Sequence, residues 1–83
     1  MKTVICDIDG TIFEYVKGGH YDLVYKNAKI LPGVKEKFQE WEVKGCRIVL
    51  ITGRRESVRE VTERELRRNG IPFEMLIMGF ADT

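Results

Sequence analysis

The 83 residues carry 14 Lys and Arg against 13 Asp and Glu, a formal net charge of +1, which gives no reason to propose nucleic acid or a membrane surface as a default partner. A chain of this length reads as one small domain, 1–83, that buries about 60–65% of its unfolded surface, with no room for a second. No stretch approaches the roughly 20 apolar residues of a membrane span, and no N-terminal apolar segment reads as a signal peptide. Cys6 and Cys46 have neither redox nor zinc spacing, so both read as reduced core thiols of a cytoplasmic protein.

The chain opens with an apolar strand, Lys2–Ile8, that runs into Asp7-Ile8-Asp9-Gly10-Thr11. Side chains alternate along a strand, so Asp7 and Asp9 leave on the same side and two carboxylates converge. Like charges a few ångström apart repel, and a hard divalent ion such as Mg²⁺ offsets that repulsion by oxygen ligation. Gly10 lets the backbone turn sharply and approach an anion. Two blander readings compete. A solvated turn is natural for Asp and Gly, and a calcium loop also gathers carboxylates. The calcium loop needs Gly at its sixth position and a preceding helix, whereas Gly10 comes fourth and follows a strand.

Residues from about 12 to 28 are too few for a cap domain and suit a hairpin flap, with Ile12, Phe13, Tyr15 and Val16 on one arm and Gly18-Gly19 at the turn. His20, the one histidine, reads as a solvated flap residue. Tyr15, Tyr21 and Tyr25 read first as packing the flap and second as lining an entrance.

Leu31-Pro32-Gly33 then breaks the chain, and Val34, Phe38 and Trp41 recur at the spacing of an amphipathic helix that Gly45 closes. Arg47–Ile51 is β-rich and runs into Thr52-Gly53-Arg54. Ser57 to Glu60 has capping-box spacing for a second helix that turns Val58, Val61 and Leu66 inward, with Glu60/Arg64 and Glu63/Arg67 pairs on its wet face. Asn69-Gly70-Ile71-Pro72 ends it, and a third strand spans about Glu74–Met78. The order predicts an α/β fold, half of a doubly wound parallel sheet, whose ligands sit outside the carboxyl ends of the strands. Asp7, Asp9 and Thr52 fall at those ends.

Val4-Ile5-Cys6-Asp7-Ile8-Asp9-Gly10-Thr11 resembles motif I of the haloacid dehalogenase superfamily, and Ile48-Val49-Leu50-Ile51-Thr52-Gly53-Arg54 resembles its motif II. The resemblance covers essentially the whole chain. It implies a three-layer Rossmann-like sheet in minimal or truncated form, and a Mg²⁺-dependent phosphohydrolase of the capless kind acting on a phosphorylated substrate. Asp7 would be the nucleophile that becomes an aspartyl phosphate and Asp9 the general acid and base, with both carboxylates serving Mg²⁺. Gly10, Thr11, Thr52, Gly53 and Arg54 would hold the phosphoryl group, helped by backbone N–H groups around Ile8 to Gly10 and at Gly53.

Family members add a basic residue, usually Lys, and an acidic motif after a further strand. Here every lysine lies at or before Lys44, and Asp82 alone is acidic after Glu74. Arg54 or Arg55 could supply the cation. With three strands, the first becomes an edge presenting Val4, Cys6 and Ile8, so we expect either a truncated form of a longer phosphatase or association through that edge, for example as a homo-oligomer. The alternative to a phosphatase is a non-catalytic phosphate- or metal-binding module. A receiver-like phosphoacceptor is a third reading, disfavoured by Thr52-Gly53-Arg54 and by an acidic pair on the first strand.

Overall fold

A computed structural model of the chain describes residues 1–14 and 29–80. Three strands, β1 (Thr3–Asp7), β2 (Arg47–Ile51) and β3 (Met75–Ile77), alternate with two helices, α1 (Val34–Val43) and α2 (Arg59–Arg68). The sheet is parallel with order β1-β2-β3. The α/β, Rossmann-like reading is borne out.

Register explains how the layers form. Cys6, Leu50 and Leu76 are partners across the sheet and point to one face. Phe38 and Trp41 of α1 and Leu66 of α2 join them in a single core with Ile48, Ile8, Ile12, Phe13 and Ile71. Both helices therefore cover the same face, as two crossovers of the same hand do when strand order follows chain order. Among the described residues these are two of the three layers that the sequence implied. The opposite face carries the register rows Ile5, Val49, Met75 and Asp7, Ile51, Ile77, where Ile5 is 66% and Met75 55% exposed.

The two helices end alike. Gly45, with φ 74°, donates to Glu42 O at 3.0 Å while Cys46 donates to Trp41 O at 2.9 Å. Gly70 and Ile71 repeat this on Arg67 and Leu66, both at 3.0 Å. In each, a glycine in the left-handed region turns the chain and satisfies two orphan carbonyls, the Schellman motif. Phe38 and Trp41, three residues apart on α1, meet edge to face with ring centroids 5.0 Å apart.

Two local expectations are corrected. Glu56–Val58 is a 3-10 turn leading into α2, and neither makes a side-chain cap bond, so the Ser57 capping box does not form. Backbone bonds of that turn, such as Val58 N–H to Arg55 O at 3.0 Å, take over the opening of the helix. Ile12 and Phe13, assigned to a flap arm, are fully buried core residues. The Ile8 carbonyl accepts N–H bonds from Thr11, Ile12 and Phe13 at 3.2, 2.8 and 3.1 Å, and that tight winding drives both side chains under the sheet. Phe13 then bridges Ile30 in antiparallel fashion and Glu14 N–H donates to Lys29 O at 2.8 Å. The rest of the flap, including His20, Tyr15, Tyr21 and Tyr25, lies outside the described residues, as does Asp82.

Candidate active site

Parallel pairing aligns Asp7 with Ile51, so the turn after β1 and the turn after β2 leave neighbouring strands at the same level, about 5 Å apart. Asp7 is exposed at the end of β1, and its Oδ1 accepts the Ile8 N–H at 2.7 Å. That bond orients the carboxylate.

Asp9 is placed differently. Its two carboxylate oxygens accept from Arg54, Oδ2 from Nε at 2.9 Å and Oδ1 from Nη2 at 2.6 Å. Arg54 Nη1 donates to Thr62 Oγ1 at 3.0 Å, and the guanidinium carbon lies 5.9 Å from the Phe13 ring centroid. The Arg54 side chain is 1% exposed and that of Asp9 23%. Arg54, expected at the phosphate, is thus packed inside against the acid that the sequence placed beside it.

Thr52 is 1% exposed, and its hydroxyl accepts the Arg54 N–H at 3.1 Å. The segment after β3 braces this turn: Gly79 N–H donates to Arg54 O and Phe80 N–H to Thr52 O, each at 2.8 Å. Gly53 and Thr11 are exposed. Gly10, exposed with φ 81°, occupies a conformation that favours glycine.

The backbone donors expected at a phosphoryl group divide. Ile8 N–H is taken by Asp7, and Gly10 N–H by the Phe13 carbonyl at 2.7 Å. Of the four donors expected there, those of Asp9 and Gly53 meet no protein acceptor among the described residues. Arg55, next in sequence to Arg54, is exposed.

Thr62 is the site residue that sequence reasoning missed. A signal was present: Val58 at the start of α2 and Thr62 and Leu66 within it recur every four residues and are buried, and Thr62 is the polar member, 0% exposed. A buried hydroxyl needs a partner, and Arg54 is that partner. Cys6, half-buried on β1, has its thiol pKa pushed up, first by burial and then by the neighbouring Asp7 charge.

Among the described residues no group of three or more His, Cys, Asp or Glu could hold a metal. A site of two carboxylates still fits Mg²⁺, which keeps several waters and takes one or two carboxylates plus substrate phosphate. Asp7, which is exposed, is the better placed of the pair, because Arg54 takes both oxygens of Asp9.

No curated protein matches the chain. Among solved structures, the chain is similar to a protein of the Pnkp1/Rnl/Hen1 RNA repair complex, at 28% identity and TM-score 0.82, over 98% of this chain and 27% of that one. It shares its fold with a protein from Vibrio cholerae, at 22% identity and TM-score 0.79, over 96% of this chain and 71% of the other. A D,D-heptose 1,7-bisphosphate phosphatase from B. bronchiseptica, solved with magnesium and phosphate, shares it at 18% identity and TM-score 0.68, over 99% of this chain and 53% of that one. The chain spans about a quarter of the length of the RNA-repair protein. No helix among the described residues is long and apolar enough to cross a membrane. The family described as polynucleotide kinase PNKP phosphatase domain matches residues 1–82, and with both acidic and Thr-Gly-Arg turns at adjacent strand ends, the chain belongs to that family of haloacid dehalogenase phosphatases.

Proposed function

We propose that this chain carries the nucleophile of a Mg²⁺-dependent phosphomonoesterase acting on a terminal phosphate of a polynucleotide. The observation that carries the reading is the meeting of Asp7, Asp9 and the Thr52–Arg54 turn at the carboxyl ends of β1 and β2, in a chain matched almost throughout by a polynucleotide phosphatase family. The two reduced cysteines suit a cytoplasmic setting.

In this reading an Asp7 carboxylate oxygen attacks phosphorus, the P–O bond to the leaving group breaks, and Asp9 gives its proton to the departing oxygen. Water then attacks the aspartyl phosphate, returning a proton to Asp9 and releasing inorganic phosphate. The exposure of Asp7 at the end of β1 suits attack on a substrate that arrives from solvent. The N–H groups of Asp9 and Gly53 would receive the phosphoryl oxygens. Asp7 would hold Mg²⁺, since Arg54 takes both Asp9 oxygens, and the ion when bound would supply charge neutralisation at the phosphate.

Hydrolysis of an aryl phosphate with and without Mg²⁺, by this chain and by Asp7→Asn, is the test. Mg²⁺-dependent release lost in the variant supports the reading, and equal release from both overturns it. Faster turnover of an oligonucleotide bearing a terminal phosphate than of a phosphorylated sugar supports the substrate class, and the reverse order replaces it.

A further inference from the structure

We propose that Arg54 is a positioning residue for proton transfer: it holds the Asp9 carboxylate and does not touch the phosphate. This rests on the phosphatase reading above and assigns the arginine of the Thr52-Gly53-Arg54 turn a role distinct from the anion binding that its charge suggests.

Burying a guanidinium is costly unless its charge and its donors are matched. Arg54 is buried and matched by two bonds to the two oxygens of one carboxylate. Such a fork fixes the plane of the carboxylate as well as its distance, which a lysine cannot do. A third bond, to Thr62, anchors the guanidinium to α2. The backbone of Arg54 is itself pinned, its N–H on the Thr52 hydroxyl and its carbonyl under the Gly79 N–H. The Phe13 ring packs against the group.

The anchors of Arg54 named above lie in the turns after β1, β2 and β3, in α2 and at the Phe13 ring of the core. A side chain held this way reaches a substrate phosphate only by leaving Asp9 and Thr62. Its effect on catalysis passes through the carboxylate that it orients, and Thr62 extends that effect to the middle of α2.

Leaving groups distinguish this role from the alternatives. Loss of a well-aimed general acid slows esters of poorly departing alcohols far more than nitrophenyl esters, whose leaving group departs without a proton. The experiment compares kcat/KM for an alkyl phosphate and for nitrophenyl phosphate in wild type, Arg54→Lys, Arg54→Gln and Thr62→Val, with inhibition by inorganic phosphate alongside. The expected result is that the alkyl-to-aryl ratio falls roughly tenfold or more in both Arg54 variants. It falls in the same direction, by less, in Thr62→Val, while phosphate inhibition stays within about threefold of wild type. An equal loss on both esters, or a phosphate affinity that collapses with Arg54, overturns the proposal.

A thermodynamic arm needs no turnover. In a double-mutant cycle of Asp9→Asn and Arg54→Lys read by urea unfolding, the unfolding constant departs from additivity by about fivefold or more if the pair is formed. Additive effects overturn the pairing. A wild type without phosphatase activity defeats the functional reading and leaves this arm to judge the pair.

Discussion

The guanidinium of Arg54 faces both carboxylate oxygens of Asp9, at 2.9 and 2.6 Å, across 45 residues of sequence. The pair ties together the two turns that make the site, one after β1 and one after β2. Each substitution nearby can be read by asking whether it disturbs this join, the nucleophile beside it, or only the surrounding frame.

Asp7→Asn leaves the frame intact. The residue is exposed and an asparagine oxygen can still accept the Ile8 N–H, so unfolding in urea should match wild type to within about 0.5 kcal/mol. Phosphate release should drop by about 10³-fold or more, because an amide is a poor nucleophile for the covalent step. Activity and urea midpoint measured on the same preparation check both halves.

Leu66→Ala acts on the frame alone. Leu66 is fully buried at the last turn of α2, where it supports both the helix end and the sheet. Its truncation should destabilise the chain by about 3 kcal/mol through lost burial and the cavity left behind. Val43→Ala, at an 88% exposed position, should change stability by less than about 0.5 kcal/mol. Equal effects at the two positions would place the core elsewhere.

Cys6 gives the chain a pH signature. Burial, aided by the Asp7 charge, raises its thiol above the ordinary value of 9.0, so the folded state holds its proton more tightly than the unfolded chain does. By linkage, the stability from this group is full below the unfolded thiol pKa and is lost as pH rises through the raised folded value. Alkylation of Cys6 by iodoacetamide near pH 9, followed by peptide mass spectrometry, should therefore be slower in the folded chain than in urea. Asp7→Asn should speed it by removing one of the two causes.

The uncovered sheet face should be sticky. Parallel strands are normally buried on both faces, yet Ile5, Met75 and Ile77 lie open on the face away from the helices, and β1 is an edge among the described strands. We expect self-association that grows with concentration in sedimentation, together with binding of a hydrophobic dye. Ile5→Lys should weaken both without loss of folding stability, since an edge lysine opposes strand pairing. A monodisperse chain with protected β1 amides would count against association through that edge.

The regular elements were legible because they rest on local periodicity. Val34, Phe38 and Trp41 announced α1, the apolar run of Arg47–Ile51 announced β2, and Gly45 and Gly70 marked the helix ends where the chain needs positive φ. The placing of Asp7, Asp9 and Thr52 at adjacent strand ends was legible because strand ends in a parallel sheet gather on one side. The inward turn of Arg54 was not legible, since it depends on Thr62 arriving from α2 and on Phe13 being wound under the sheet by the Ile8 carbonyl. Ile12 and Phe13 looked like a flap arm for the same reason: an apolar pair after a turn has no local signal that tells cover from core. The Ser57 cap failed because the backbone preferred to tighten into a 3-10 turn.

Because strand order follows chain order, Asp9 and Arg54 stand at the two ends of the first crossover, one after β1 and the other after β2. Docking β2 against β1 across α1 is then the same event as bringing acid and arginine together. An unfolded chain has no partial site, and a chain that has closed its first loop has the join that we assign to proton transfer. Folding speed and site assembly should rise and fall together in variants of residues 1–54, while variants of β3 should affect mainly how long the assembled turn is held.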